Sequence, residues 1–317
     1  MSECTVIIPV IKINNLLVDV VKNIHISDKD LKIIIIYKNY SDLIKPTDKI
    51  SLFQSDIKNM SAKRNFGVIK SDTKYIAFLD SDAYPDKGWF LNAKSFLEKD
   101  LSIGIITGPE ISFPNQSFTE NLVGIINKSF LITGSHSFRK SYSKSRYYEE
   151  ASSCNIIMRK EDYLKIGGMD PNRYLGEDQE FSYRLTDKLK KKIYFSNKVI
   201  VFHKDRDIRG FFWQRYSRGV TADGLFSRLK EFFKNITFKN FIKQRFEIFV
   251  PFFFIIFLFS SILIFFIKVW KYFFISFLML YFFIIIYETL RLAKKKIKII
   301  FSYFSSFNYR NNYSWHF

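Results

Sequence analysis

The N-terminal third of the chain alternates two patterns of apolar positions: short continuous runs and longer segments with helical spacing. The runs predict strands at Thr5–Val10, Leu31–Tyr37, Ile50–Gln54, Tyr75–Leu79 and Ile103–Thr107. The longer segments predict helices at Asn14–Ile24, Asn59–Lys70 and Lys87–Glu98. Strands that alternate with helices in this way predict an α/β fold with a mainly parallel sheet flanked by helices.

Two of these segments predict which positions are buried. The uninterrupted apolar run Ile33–Ile36 suits a strand that is covered on both faces. In the helix predicted over Asn59–Lys70, the residues Ala62, Phe66 and Ile69 recur at helical spacing. We therefore expect these three side chains to face the sheet.

The middle of the chain has a weaker pattern. Residues Glu110 to Glu150 are rich in Ser, Asn, Lys and Tyr, and they predict loops with one helix near Ser117–Leu131. Regular patterns return at Ala151–Met158, Lys160–Ile166, Glu180–Lys190 and Val199–Phe202, and Arg209–Ala222 has a helical, aromatic pattern. We place the end of the folded α/β domain at residue 225.

The C-terminal third has a different composition, because much of the excess of Phe lies there. Residues 226–248 mix bulky apolar and basic residues at helical spacing, which is typical of an amphipathic helix in a membrane interface or of one docked on a protein surface. Residues 249–290 contain two uncharged stretches, Phe249–Ile267 and Tyr272–Tyr287, around the charged turn Lys268–Lys271.

The first of these stretches would measure about 28 Å as a helix, close to the thickness of a hydrocarbon core. The two stretches therefore predict a transmembrane hairpin, with a buried hairpin of a soluble protein as the alternative. Basic residues before the first stretch and after the second place both ends in the cytoplasm. The basic and aromatic tail, 291–317, would then be cytoplasmic as well.

The charge balance indicates an anionic partner, because the chain has 49 Lys and Arg but only 30 Asp and Glu, which gives a net charge of +19. The basic residues concentrate beside the predicted spans and follow no nucleic-acid-reading motif, so we expect a membrane and a phosphorylated substrate but no nucleic acid. The two cysteines, Cys4 and Cys154, have no metal-site spacing, and we expect two buried, reduced thiols.

Two carboxylates end a predicted strand in the sequence Asp80-Ser-Asp82. Packing does not require them, whereas a divalent cation that holds a diphosphate does, because hard cations prefer carboxylate and phosphate oxygens. Ligands of open α/β sheets also bind beyond the carboxyl ends of strands. A solvated turn is the alternative, because Asp and Ser are common turn residues.

A second acidic pair, Glu177 and Asp178, begins a predicted helix. The helix dipole alone accounts for acidic residues at that place. With an earlier carboxylate site, however, the pair supplies what a metal-assisted displacement needs, namely a general base apart from the cation. His203 follows the strand Val199–Phe202 and is either a third metal ligand or an ordinary hydrogen-bonded surface residue.

Six short segments, taken in order, resemble the family-2 glycosyltransferases, which have the Rossmann-like GT-A fold. They are Val6–Val10, Ala62–Gly67, Phe78–Asp82, Asn155–Arg159, Gly167–Asp170 and Gly176–Asp178. The resemblance covers about residues 4 to 220. It implies an inverting transfer of a sugar from a nucleotide-diphosphate donor, most often a UDP-sugar, by a GT-A catalytic domain that we extend over residues 1–225.

The resemblance also implies roles for individual residues. Asp80 and Asp82 match the family's DxD motif for metal and ribose, with Asp82 as the expected ligand of Mn²⁺ or Mg²⁺. His203 stands where several members have a metal-binding histidine. Asp178 corresponds to the general base that deprotonates the acceptor hydroxyl, with Glu177 beside it.

Further residues are expected to contact the donor. The resemblance places Pro9 and Val10 in the nucleobase pocket and Arg64 against the nucleotide. The segment Trp213–Gly219, which contains Arg215 and Arg218, loosely resembles the aromatic and basic motif that borders the diphosphate and the acceptor.

One departure concerns the nucleobase. The second strand of such enzymes commonly ends in a base-binding Asp, whereas this chain has Lys38-Asn39 there and Asp42 only later. The identity of the donor is therefore open.

These observations favour a glycosyltransferase anchored in the cell inner membrane, with its catalytic domain on the cytoplasmic face. Its acceptor would be a hydroxyl of a lipid-linked or cell-surface glycan, as in polysaccharide biosynthesis. Two alternatives remain: transfer to a polyprenyl phosphate, and a catalytically silent membrane scaffold of the same fold. Hydrolysis by two carboxylates that activate water, as in glycosidases, is the rival reaction. A strand-end Asp-Ser-Asp is better suited to bind a metal.

Overall fold

The computed structural model describes residues 2–173, 176–220 and 246–311. The strands in these residues are β1 (Cys4–Pro9), β2 (Lys32–Tyr37), β3 (Ile50–Gln54), β4 (Tyr75–Phe78), β5 (Ala83–Pro85), β6 (Ile103–Thr107), β7 (Glu110–Ser112), β8 (Arg146–Tyr148), β9 (Ile156–Arg159), β10 (Lys192–Phe195) and β11 (Val201–His203).

The helices in the same residues are α1 (Asn15–Ser27), α2 (Met60–Lys70), α3 (Trp89–Lys99), α4 (Phe118–Ile126), α5 (Phe130–Thr133), α6 (Lys160–Ile166), α7 (Glu177–Lys188), α8 (Ile208–Val220), α9 (Phe246–Phe259) and α10 (Lys268–Asn311). Two 3₁₀ helices, Gly134–Lys140 and Ser260–Phe265, lie between them. The described residues divide into two compact units, one made of residues up to Gly124 with Ser135–Arg218 and one made of Ile125–Gly134 with the residues beyond Arg218.

A central sheet organises the first unit, with the strand order β3-β2-β1-β4-β9-β6-β10-β8 in the described residues. The pairs β1–β2, β2–β3, β1–β4 and β6–β10 are parallel. Strand β9 lies antiparallel between β4 and β6, and β8 is antiparallel to β10. The prediction of a mixed α/β fold with a mainly parallel sheet is confirmed.

Helices cover both faces of this sheet, as the apolar runs predicted. On β2, Ile33 and Ile35 belong to one buried cluster, and Ile34 and Ile36 to the other. Helices α1 and α3 cover the first face, and α2, α6 and α7 cover the second. An added Cβ on Gly67 of α2 would lie 2.5 Å from Ile7 Cγ2, so glycine allows the helix to approach β1 closely.

The buried face of α2 differs from the prediction. Ile69 is 70% exposed, whereas Lys63, Arg64 and Val68 are buried. Helical periodicity assigns charged side chains to water. Here the ammonium of Lys63 donates a hydrogen bond to the backbone carbonyl of Val10 instead, and the helix turns its polar side toward the ends of the strands.

The middle of the chain is more structured than predicted. The helix expected near Ser117–Leu131 is divided into α4 and α5, and β8 occupies part of the segment expected to be loops. Within the regular segment Ala151–Met158, extended structure begins only at Ile156. The backbone N–H of Asn155 donates to the carbonyl of Ser152, and this turn interrupts the strand pattern.

The small sheet, β5-β11-β7, lies beyond the end of β4. Strand β11 pairs antiparallel with β5, and His203 stands opposite Ala83 in the register. The backbone N–H of Lys204 also donates to the carbonyl of Asp82. These contacts hold the end of β11 against the turn that follows β4.

In the second unit, α9 and α10 pack as an antiparallel pair, since Phe257 contacts Phe274 while Phe254 contacts Tyr281. Within the described residues, the segment Lys268–Lys294 of α10 is long and apolar enough to cross a membrane. The apolar part of the preceding helices, Phe253–Leu263, is shorter, so the first predicted span, Phe249–Ile267, is not confirmed.

The prediction that the chain reverses at Lys268–Lys271 is wrong. These residues begin helix α10, and the chain reverses at Phe266 and Ile267 instead. Trp270 Nε1 donates to the carbonyl of Ser260, which ties the helix start to the 3₁₀ turn. Most of the predicted amphipathic helix at 226–248 lies outside the described residues, as does the end of the tail, 312–317.

Candidate functional site

The turn after β4 and the end of β11 bring Asp80, Asp82 and His203 together. His203 Nε2 lies 3.6 Å from Oδ1 of Asp82 and 3.9 Å from Oδ2 of Asp80. All three side chains are partly exposed. The cross-strand register of β5 and β11 explains the meeting, because it fixes the histidine beside the residue that follows Asp82.

These donors fit a divalent cation. Two carboxylates and one imidazole offer oxygen and nitrogen ligands, and their spacing allows one ion to reach several of them. Among the described residues, the three potential ligands whose atoms all lie within 4.8 Å of one another are Asp80, Cys154 and His203, and Asp82 adjoins them through its 3.6 Å contact with His203. Burial and the charges of Glu110 and Asp80 raise the pKa of the Cys154 thiol.

Arg64 of α2 joins the two acidic clusters. Its Nη2 donates a hydrogen bond of 2.9 Å to Oδ1 of Asp80, and its Nη1 lies 3.7 Å from Oε1 of Glu177. The side chain is buried, yet Nε and Nη1 have no hydrogen-bond partner among the described residues. A buried guanidinium with unused donors is suited to an anionic ligand.

Glu177 and Asp178 begin α7, as predicted. The backbone N–H groups of Ser153 and Gln179 donate to Oδ2 and Oδ1 of Asp178 at 3.4 and 2.9 Å. Burial raises the pKa of Asp178, the charge of Glu150 adds to the rise, and Arg139 opposes it. Burial and the charge of Asp178 raise the pKa of Glu177.

A carboxylate with a raised pKa is a stronger base than an ordinary aspartate. General-base catalysis needs this basicity.

A network of charged residues supports this pair from the segment that the sequence left as loops. Glu150 Oε1 lies 3.2 Å from Nη2 of Arg139 and 2.9 Å from Nδ1 of His136. Burial would raise the pKa of Glu150, but the hydrogen bond of His136 and the charge of Arg139 outweigh it and lower the pKa. Arg139 therefore lies between the charges of Glu150 and Asp178.

A second ion pair of this segment joins the partly buried Lys140 to the buried Glu110. Lys140 Nζ lies 2.7 Å from Oε2 of Glu110 on β7. Burial would raise the pKa of Glu110, but the charges of Lys140 and Arg139 outweigh it and lower the pKa to about 2. The pair fixes the 3₁₀ helix to the small sheet that carries His203.

The residues predicted for the nucleobase pocket lie at the end of β1. Pro9 is its last residue, Val10 follows, and both are buried. Val10 is held by a backbone hydrogen bond from its N–H to the carbonyl of Ile36 and by the one that its carbonyl accepts from Lys63.

The aromatic and basic segment lies on α8. Phe212, Trp213 and Tyr216 are exposed and line a cavity of about 810 Å³ together with Asp207, Arg209 and Gly210. None of the predicted metal ligands lines this cavity. Arg215 stands over the ring of Phe211 at 5.1 Å, and the side chain of Arg218 lies outside the described residues.

The structure thus brings Arg64, Asp80, Asp82, Glu177 and His203 into one cluster. Sequence reasoning missed Glu110, Arg139, Lys140 and Glu150. Their segments had no regular apolar pattern and no recognised motif, so the signal was absent.

Known proteins resemble this chain in sequence family and in fold. A family model described as glycosyl transferase family 2 matches residues 5–166, half of the chain. No curated protein matches the chain. Among solved structures, one described as GalNAc-T7 with UDP, GalNAc and Mn²⁺ has a TM-score of 0.50 and 15% identity. The alignment covers 65% of this chain and 44% of that one.

Another structure, S. aureus TarS 1–349, has a TM-score of 0.46 and 12% identity, and the alignment covers 64% of this chain and 60% of that one. This chain therefore spans less than two thirds of either protein. At such low identity, the GalNAc-T7 structure supports the GT-A fold alone.

Proposed function

The chain belongs to glycosyl transferase family 2 and is a glycosyltransferase of GT-A fold, and we propose that it is a membrane-anchored inverting enzyme. It would move a sugar from a nucleotide diphosphate to an acceptor hydroxyl. One observation carries the proposal. The guanidinium of Arg64 contacts both Asp80 and Glu177, so the two acidic clusters face one small space.

In this proposal, Asp82, Asp80 and His203 hold Mn²⁺ or Mg²⁺. When bound, the cation would offset the negative charge of the departing diphosphate. Arg64 adds hydrogen-bond donors from the other side, since its Nε and Nη1 are free of protein hydrogen bonds in the described residues. These donors stabilise the charge that develops on the leaving group.

The nucleotide part of the sugar donor would bind at the end of β1. We propose that Pro9 and Val10 contact the nucleobase, and that Arg215 and Arg218 of α8 contribute positive charge toward the diphosphate. A UDP-sugar is the proposed donor, as the resemblance to family-2 glycosyltransferases implies. Lys38 and Asn39 follow β2, where such enzymes commonly have a base-binding Asp, so the donor has to be measured.

Asp178 is the proposed general base. It accepts two backbone hydrogen bonds, which orient its carboxylate, and its raised pKa increases its basicity. Deprotonation of the acceptor hydroxyl lets the oxygen attack the sugar from the face opposite the diphosphate. A single displacement of this kind needs one base and no covalent enzyme intermediate, and Glu177 keeps the base and Arg64 aligned.

The proposed acceptor is a lipid-linked or cell-surface glycan. The apolar segment Lys268–Lys294 supports a membrane anchor, and the basic residues that follow it support a cytoplasmic catalytic domain at the inner membrane. We propose the domain limits 1–225, 226–248, 249–290 and 291–317 for the catalytic domain, interfacial helix, membrane hairpin and tail.

The test is a screen of nucleotide sugars with Mn²⁺ and membrane lipid extract. Transfer of one labelled sugar that is lost in Asp82→Ala and Asp178→Asn supports the proposal, and unchanged transfer in both variants refutes the roles. A lipid product that resists alkali but is cleaved by mild acid would assign a polyprenyl phosphate as acceptor in place of a hydroxyl.

A further inference from the structure

A hydrogen bond joins two distant parts of the second unit. Ser129 Oγ donates to Oε1 of Glu288 at 2.8 Å, across 159 positions of sequence. The backbone N–H of Phe130 also lies within hydrogen-bonding reach of this carboxylate. Ser129 caps the short helix α5 and accepts from the N–H of Leu131. The start of α5 is therefore fixed to one point on α10.

That point is where the apolar part of α10 ends. The residues Tyr272–Tyr287 before Glu288 are all uncharged. Arg291 follows one turn later and lies 2.6 Å from Glu288, and the sequence continues with the basic run Lys294–Lys296. A helix with this order of residues changes from hydrocarbon to polar surroundings at Glu288.

The short helix held at this boundary exposes apolar side chains. Phe130, Leu131 and Ile132 are 57%, 51% and 45% exposed, although they are consecutive and large. A run of exposed apolar residues on a soluble surface is unfavourable and marks a contact. The hydrogen bond from Ser129 to Glu288 holds this helix where the apolar part of α10 ends, which indicates that the contact is with a membrane.

We propose that α5 is a membrane-inserting element, with Phe130, Leu131 and Ile132 in the acyl-chain region beside α10 and Ser129 at the level of the headgroups. The proposal rests on the membrane anchoring by Lys268–Lys294 proposed above. The bilayer is the proposed occupant because the apolar surface continues that of α10, and because basic side chains at the boundary attract anionic headgroups. The helix would add a second, shallow anchor to the deep one.

The experiment uses the full chain in vesicles of phosphatidylethanolamine and phosphatidylglycerol. One cysteine at a time is introduced for an environment-sensitive fluorophore, by Leu131→Cys, Leu164→Cys or Phe282→Cys. The native Cys4 and Cys154 are buried, and the unsubstituted chain measures their background labelling. Leu164 is the matched control, since it is 52% exposed and lies on α6 of the first unit. Quenching by lipids spin-labelled high on the acyl chain is compared with quenching by aqueous iodide.

We expect lipid quenching of the Leu131 probe to exceed that of the Leu164 probe at least about threefold, with weak iodide quenching, as for a side chain below the headgroups. The Phe282 probe, on the predicted span, separates the two possible failures. If it is quenched by lipid while the Leu131 probe behaves like the Leu164 probe, the inference is overturned and the anchor stands. If the Phe282 probe is not quenched, the anchor itself fails.

A Leu131 probe shielded from lipid and iodide alike would show a protein occupant and overturn the proposal. The tether is tested by Ser129→Ala in the Leu131 probe background, with Ser95→Ala on α3 as control. We expect lipid quenching to fall by about half in the first and to persist in the second, because a lost hydrogen bond loosens a short helix. Equal quenching in both would refute the role of Ser129.

Discussion

Arg64 donates a hydrogen bond to Oδ1 of Asp80 and leaves Oδ2 directed toward His203. The carboxylate is thus shared between a permanent cation on one side and a candidate metal site on the other. The same guanidinium contacts Glu177, so one buried side chain sets the distance between the two acidic clusters.

Replacing Arg64 with lysine should separate charge from geometry. Arg64→Lys keeps one positive charge but loses the planar fork that reaches Asp80 and Glu177 together. We expect kcat/KM for the donor to fall about 10- to 100-fold, which corresponds to one or two charge-assisted hydrogen bonds. Steady-state kinetics on the transferred sugar measures it. Arg146→Lys on β8 is the control, and an equal loss there would contradict a specific role for Arg64.

The pH profile should report the environment of Asp178. Its folded pKa is raised, so activity that needs the ionised base should fall, as pH decreases, above the ordinary aspartate pKa of 3.8. Glu150 contributes to the rise, and Glu150→Gln should therefore move the acidic limb of kcat/KM to lower pH.

The control for this profile is Glu161→Gln, which removes an exposed carboxylate on α6. It should leave the acidic limb in place. A limb that stays at the same pH in Glu150→Gln would contradict the electrostatic link between Glu150 and Asp178.

The ion pair of the buried Glu110 with Lys140 should contribute to stability in a pH-dependent way. The folded pKa of Glu110 is about 2 against the ordinary 4.5, so its contribution is complete above pH 4.5 and is lost as pH falls toward 2. The difference corresponds to about 3 kcal/mol of unfolding free energy at neutral pH.

Lys140→Met should therefore destabilise the protein by about 3–5 kcal/mol, because it leaves a buried, unpaired carboxylate. Glu110→Gln combined with Lys140→Met should be less destabilised than the sum of the single variants. Denaturant unfolding at pH 7 of all four proteins measures the coupling. Additive effects would mean that the two side chains do not interact.

Much of the fold follows from the sequence because its strands are apolar runs. Ile50–Gln54 and Ile103–Thr107 have the predicted limits, and the other early elements differ by one to three residues at their ends. Periodicity failed at α2, where polar side chains are buried for contacts with the strand ends. It also failed at β8, a three-residue edge strand whose pairing with β10 is set by the tertiary structure.

The candidate site was predictable where a residue belongs to a motif. Asp80, Asp82 and Glu177 come from such motifs, and the structure places Asp80 and Glu177 against Arg64 and Asp82 beside His203. Arg139 and Glu150 could not be predicted, because their role depends on a fold that brings an irregular segment to the start of α7. The sequence predicted a buried thiol at Cys154, but its position beside Asp80 and His203 depends on the tertiary structure.

The most direct measurement of the central claim is calorimetric binding of UDP, with and without Mn²⁺, alongside transfer activity. The account predicts Mn²⁺-dependent binding in the natural protein and in Asp178→Asn, loss of binding in Asp82→Ala, and loss of transfer in both variants. Metal-independent binding that survives Asp82→Ala, or full transfer by Asp178→Asn, would contradict the claim that the two acidic clusters form one active site.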